Sequence, residues 1–106
     1  MKIAVAVKDE KLSSPLEYHF GKAPYFAVID DNDGSIEFIK NKYEEEPAAK
    51  GIMVAGFLSE KGVKKIYAGD FGVKVKPTMD VLGIEMNKID IKNMNITEFI
   101  QRIIKT

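Results

Sequence analysis

The chain has 106 residues, 45% hydrophobic and 30% charged, the size and balance of one ordinary soluble globular domain spanning 1–106. Sixteen acidic and sixteen basic side chains cancel, and Arg102 is the lone arginine, so strong attraction to nucleic acid or anionic lipid is excluded. There is no cysteine, which removes disulfides, thiolate nucleophiles and cysteine-built zinc sites.

The first residues carry no signal-peptide pattern, and no apolar run approaches the ~20 residues of a membrane span. The expected setting is the cytoplasm.

In chain order, "KIAVAV" (2–7) is a short β-branched run suited to a strand buried on both faces. A long polar stretch (8–24) follows, containing Ser-Ser-Pro and the only histidine, His19. Loops of this length inside a small domain are usually functional or mobile. "YFAVID" (25–30) and "SIEFIKN" (35–41) read as strands joined by "DNDG", a hairpin turn.

The segment 42–62 reads as an acidic loop and then a helix, with Pro47 in its first turn and Gly62 as its C-cap. Its apolar face is expected at Ala48, Ile52, Ala55 and Leu58. Gly51 and Gly56 are poor helix formers, which suggests close packing or close approach of a ligand. Phe57 is expected to pack under lysine stems, between Lys50 and Lys61.

"VKKIYAG" (63–69) and "IEMNKI" (84–89) are further strands. Pro77 forces the helix between them to begin late, near Lys76, or to kink. Asn95 and Glu98 form a capping-box pattern, and Ile96, Phe99, Ile100, Ile103 and Ile104 then trace one helical face. The order β, β-hairpin, α, β, α, β, α predicts an α/β domain with a mixed sheet flanked by helices.

Few residues can carry chemistry. Asp9, Asp30, Asp70 and Asp80 are the carboxylates a two-metal hydrolase would need, but Asp9 and Asp30 fall at loop positions. Ser13, Ser14, Ser35 and Ser59 sit in no Gly-x-Ser-x-Gly elbow. Gly69-Asp70-Phe71-Gly72, between a strand and a helix, is a turn that could offer backbone N–H groups to an anion. His19 reads as a turn residue bonded to backbone or to Glu17, as a general base, or as a metal ligand. One imidazole with no thiolate builds no ordinary metal site, but it can complete a cluster made elsewhere or act with a second chain.

The chain also resembles a known family, the nitrogenase iron–molybdenum cofactor biosynthesis proteins of the NifX and NifB C-terminal type. "HFGKAPYFAVID" carries the resemblance, supported by "KIAVAV", the "DG" turn, "AKGIMVAGFLSEKGVKKIYAGDFG" and "GIEM". The resemblance implies a ribonuclease-H-like fold of five strands and no catalytic activity. It also implies a carrier role for an iron–sulfur or iron–molybdenum-type cluster, with a cluster donor or acceptor as partner. His19 is then the metal and cluster ligand, Phe20 and Gly21 set its loop, and backbone N–H groups near Gly72 cradle cluster charge. The other reading is a metal-free module of the same fold that binds a protein or an anion, with a structural His19. A monomer and a homodimer both fit.

Overall fold

A computed structural model describes residues 1–46 and 50–105. Pro47 and Ala48, expected at the start of the first helix, lie outside the described residues.

The strands are β1 (Lys2–Val7), β2 (Tyr25–Asp30), β3 (Ile36–Lys40), β4 (Val63–Ala68) and β5 (Glu85–Lys88). The helices are α1 (Lys50–Glu60), α2 (Val75–Leu82) and α3 (Ile96–Phe99), the last continuing as a wide π turn over Ile100–Ile104. The sheet order is β3-β2-β1-β4-β5. The β1/β2 and β2/β3 pairs are antiparallel, whereas β1/β4 and β4/β5 are parallel, so the sheet is mixed.

β1 is central, and its side chains alternate between two cores, as the period of two requires. Ala4 and Ala6 face the layer of α1 and α2, where Val54, Ala55, Leu58, Val75 and Met79 are buried against Phe26, Val28 and Ile66. Val5 and Val7 face the other layer with Ala27, Ile29, Leu16, Ile96 and Phe99. The small alanines let two helices approach the sheet closely.

The hairpin forms as expected, with Gly34 in the left-handed region (φ 75°) and its N–H on the Asp30 carbonyl at 2.8 Å. Gly62 likewise ends α1 with φ 85°. The buried face of α1 differs from expectation: Ile52 is exposed, and Val54, Ala55 and Leu58 point inward. Phe57 lies beneath the ammonium groups of Lys42 and Lys61 and against the edge of Tyr43. α2 begins at Val75, which puts Pro77 in the first turn, where no intrahelical N–H donor is needed, and no kink follows. The Asn95–Glu98 capping box is present in both directions. Beyond Phe99 the helix widens, with Lys105 N–H reaching the Ile100 carbonyl at 2.9 Å, and Ile100, Ile103 and Ile104 still pack on the second core. Among the described residues, no helix is long and apolar enough to cross a membrane.

The long loop after β1 is firmly tied. The buried Ser14 hydroxyl accepts the N–H groups of Lys8 and Asp9 at 3.2 and 2.9 Å and donates to the Pro15 carbonyl. Leu16 sits in the core beneath α3, whereas Phe20 sits in the core beneath α1 and α2. The loop therefore covers the ends of the inner strands β1 and β4 and is anchored in both layers, with Tyr18 and His19 exposed between the anchors.

A candidate cofactor cavity around His19

Two backbone hydrogen bonds fix the stretch around His19. Asp70 N–H donates to the Tyr18 carbonyl at 2.7 Å, and Phe20 N–H donates to the Asp70 carbonyl at 3.1 Å. Together they pair His19 with Asp70 in a one-residue parallel bridge, continuing the β1/β4 direction beyond both strands. Glu17 accepts the backbone N–H of His19 at 3.0 Å, so its role is to shape the turn.

This bridge opens onto a cavity of about 720 Å³ lined by residues 19–22, 51–52 and 70–75. The volume falls in the range of small-ligand and cofactor sites. The buried residues Phe20, Phe71 and Val75 form its apolar wall, with the Phe20 and Phe71 rings 5.1 Å apart. His19, Lys22, Gly72, Val73 and Lys74 are exposed at its rim, Val73 almost completely at 95%. His19, Phe20, Gly21 and Gly72, three neighbours and one residue from a distant segment, thus line one cavity. Gly51 also lines it, because α1 and α2 cross so closely there that a Cβ would overlap the Val75 side chain. Gly56 has no such neighbour: nothing lies within 4 Å of where its Cβ would stand.

Asp70 brings a carboxylate to the cavity wall. Lys88 Nζ lies 3.1 Å from its Oδ1. That ammonium, then the Phe71 backbone N–H and, more weakly, the His19 ring, hold the carboxyl below its ordinary range against the opposing effect of desolvation. Asp70 is therefore a neutralised pair with Lys88. Lys22 and Lys74 form no ion pair among the described residues, which leaves the rim net cationic. The N–H groups of Gly72, Val73 and Lys74 donate to no acceptor among the described residues.

The other carboxylates are dispersed. Asp30 lies near the Met1 amino group, Asp80 pairs with Lys76 on α2, and Asp9 is an exposed loop residue. Among the described residues, no three His, Asp or Glu side chains cluster as a metal site would require. The donors present therefore do not build a mononuclear centre.

Asn41 has no counterpart in the sequence reading. It is buried at the end of β3, and its side-chain amide donates to the carbonyls of Gly21 and Ala23 at 3.2 and 2.9 Å. Nothing in "FIKNKY" signals this, since the partners lie 18 and 20 residues away.

A five-stranded mixed sheet flanked by helices, with a histidine-bearing cavity beyond the end of β4, defines a small α/β domain. The chain belongs to the dinitrogenase iron-molybdenum cofactor family, whose sequence model matches residues 1–106. No curated protein sequence matches it. Its fold is similar to that of the apo form of the orange protein from Desulfovibrio gigas, with a TM-score of 0.89 and 24% identity over 98% of this chain and 87% of that one. It is also similar to the NMR structure of a candidate NifB protein from Thermotoga, with a TM-score of 0.83 and 23% identity over 98% and 87% of the two chains.

Proposed function

We propose that this protein is a non-catalytic carrier that holds a preformed iron–sulfur or iron–molybdenum-type cluster in the His19 cavity and passes it to another protein. The observation that supports this most directly is the convergence of His19, Phe20, Gly21 and Gly72 on one cavity in a chain of the dinitrogenase iron-molybdenum cofactor family. In this reading His19 supplies the single terminal ligand. The free N–H groups of Gly72, Val73 and Lys74 and the ammonium groups of Lys22 and Lys74 meet the charge of the sulfides. Phe20 and Phe71 shield one side from water.

The strand order, three antiparallel strands followed by two parallel ones, supports the ribonuclease-H-like description of the fold. The orange protein neighbour was solved in an apo form, which is in keeping with a carrier role here.

The test is anaerobic titration with a chemically prepared, thiolate-ligated [4Fe–4S] cluster, followed by absorbance and by metal analysis after desalting. Wild-type protein retains the cluster, and His19→Ala retains it at least tenfold more weakly while melting at an unchanged temperature. Equal retention by both proteins removes His19 as ligand, and no retention by either removes the carrier function. The unpaired lysines beside an exposed Val73 favour one second reading, an anion- or protein-binding module without metal. That reading requires anion binding that survives His19→Ala and is lost in a Lys22→Glu, Lys74→Glu double variant.

A further inference from the structure

Tyr18 and His19 are sequence neighbours, and neighbours in extended chain project to opposite sides. Here their rings meet, with centroids 4.9 Å apart and planes at 89°. Edge-to-face contact of this kind is the favoured geometry for two aromatic rings. Tyr18 is 47% exposed, so burial in the core is not what places its ring.

Gly69 is what places it. A Cβ at position 69 would overlap the Tyr18 ring and stand 2.9 Å from Tyr18 Cα. Gly69 is not among the glycines with positive φ, so its backbone makes no demand for glycine. Space for Tyr18 is the demand. The same segment grips Tyr18 from the other side through the Asp70 N–H bond to its carbonyl. The end of β4 thus provides a seat for an aromatic residue that is half in solvent, and that residue lies edge-on to the exposed imidazole of the cavity.

We infer that Tyr18 is a positioning residue: seated on Gly69, it holds the His19 ring in the rotamer that serves the cavity. An exposed histidine otherwise samples several staggered side-chain rotamers. A ligand that must find one of them binds more weakly than a preorganised one. The inference rests on the reading of His19 as the cluster ligand, but its first test does not.

That test is the χ1 state of His19 in the apo protein, read by NMR from its three-bond couplings to Hβ. Wild type and Tyr18→Phe show one dominant rotamer. Tyr18→Ala shows averaged couplings, and Gly69→Ala, whose methyl displaces the Tyr18 ring and Cα together, shows averaging as well. With the [4Fe–4S] probe, Tyr18→Ala binds between about threefold and tenfold more weakly at unchanged stoichiometry, the range expected for one aromatic pair, and Tyr18→Phe binds as wild type. A single His19 rotamer retained in Tyr18→Ala overturns the inference, as does wild-type affinity in that variant. If wild type takes up no cluster, the carrier reading fails and the couplings alone decide the role of Tyr18.

Discussion

Asn41 donates a side-chain N–H to the Gly21 carbonyl at 3.2 Å, across a gap of twenty residues. Its second N–H goes to Ala23, its own backbone N–H goes to the Pro24 carbonyl at 3.0 Å, and its side-chain oxygen accepts from Tyr43 N–H at 3.0 Å. One buried amide therefore ties the descending limb of the His19 loop to the start of the segment before α1. Asn41→Ala leaves buried carbonyls without donors and is expected to cost about 1–3 kcal/mol. Asn41→Asp is worse, since it removes both donors and buries a carboxylate against carbonyl oxygens. Urea unfolding of the two variants should rank them in that order, and cluster retention should fall in both although Asn41 does not line the cavity.

Phe20 anchors the loop from inside. It is 1% exposed and packs against both Phe26 and Phe71, at ring separations of 5.6 and 5.1 Å. Phe20→Ala is expected to cost about 3–5 kcal/mol, as for other buried aromatic truncations. Because one wall of the cavity goes with it, retention of the cluster should fall in the same variant even at temperatures where it is folded. A stability loss below ~1 kcal/mol in chemical denaturation would show that the loop is held elsewhere.

The two glycines of α1 separate cleanly. At Gly51 an added methyl meets the Val75 side chain, so Gly51→Ala must displace that side chain or part α1 from α2 at the cavity wall. Overpacking of this sort costs about 1–3 kcal/mol. At Gly56 the space is open, and an alanine only improves helix propensity, by about 0.5–1 kcal/mol. Thermal melts should therefore move in opposite directions, down for Gly51→Ala and up for Gly56→Ala.

These positions also show what the sequence could disclose. Strands, hairpin and capping box were legible because their signals are local: alternation or β-branching in "KIAVAV", the glycine of "DNDG", and Asn95 three residues before Glu98. Periodicity alone places Ile52 on the inward face of α1, whereas the structure leaves it exposed, because so apolar a helix allows more than one stripe. Only the placement of the sheet and α2 selects Val54, Ala55 and Leu58. The His19 motif is legible as a unit, and the sequence reading groups Gly72 with it, but the other lining residues are not. The cavity needs residues 19–22, 51–52 and 70–75 together, and that meeting depends on β4 lying beside β1 and on α1 crossing α2. The sequence offers Gly69 only as the first residue of a turn with backbone N–H groups for an anion. Its contact with Tyr18 is a tertiary fact with no sequence signature.

Acid should weaken the hairpin through Asp33. Its Oδ1 accepts the Ser35 N–H at 2.9 Å. That backbone N–H first, then the Ser35 hydroxyl and, more weakly, Lys2 hold its carboxyl below the ordinary value of 3.8. A carboxyl whose folded pKa is lowered binds its proton more weakly in the folded state than in the unfolded chain. Its stabilising contribution is therefore complete above the unfolded value and disappears as pH falls through the lower folded one. Asp33→Asn removes the titration while keeping the side chain's size and one acceptor oxygen. The variant is expected to be less stable than wild type at neutral pH, by an amount constant down to about pH 5. The difference should then shrink as pH falls below 3.8 and vanish once wild-type Asp33 is protonated. Denaturation midpoints of the two proteins measured at pH 7, 5, 4 and 3 check this, and curves that stay parallel throughout would show that the Ser35 contact does not favour the ionised carboxylate.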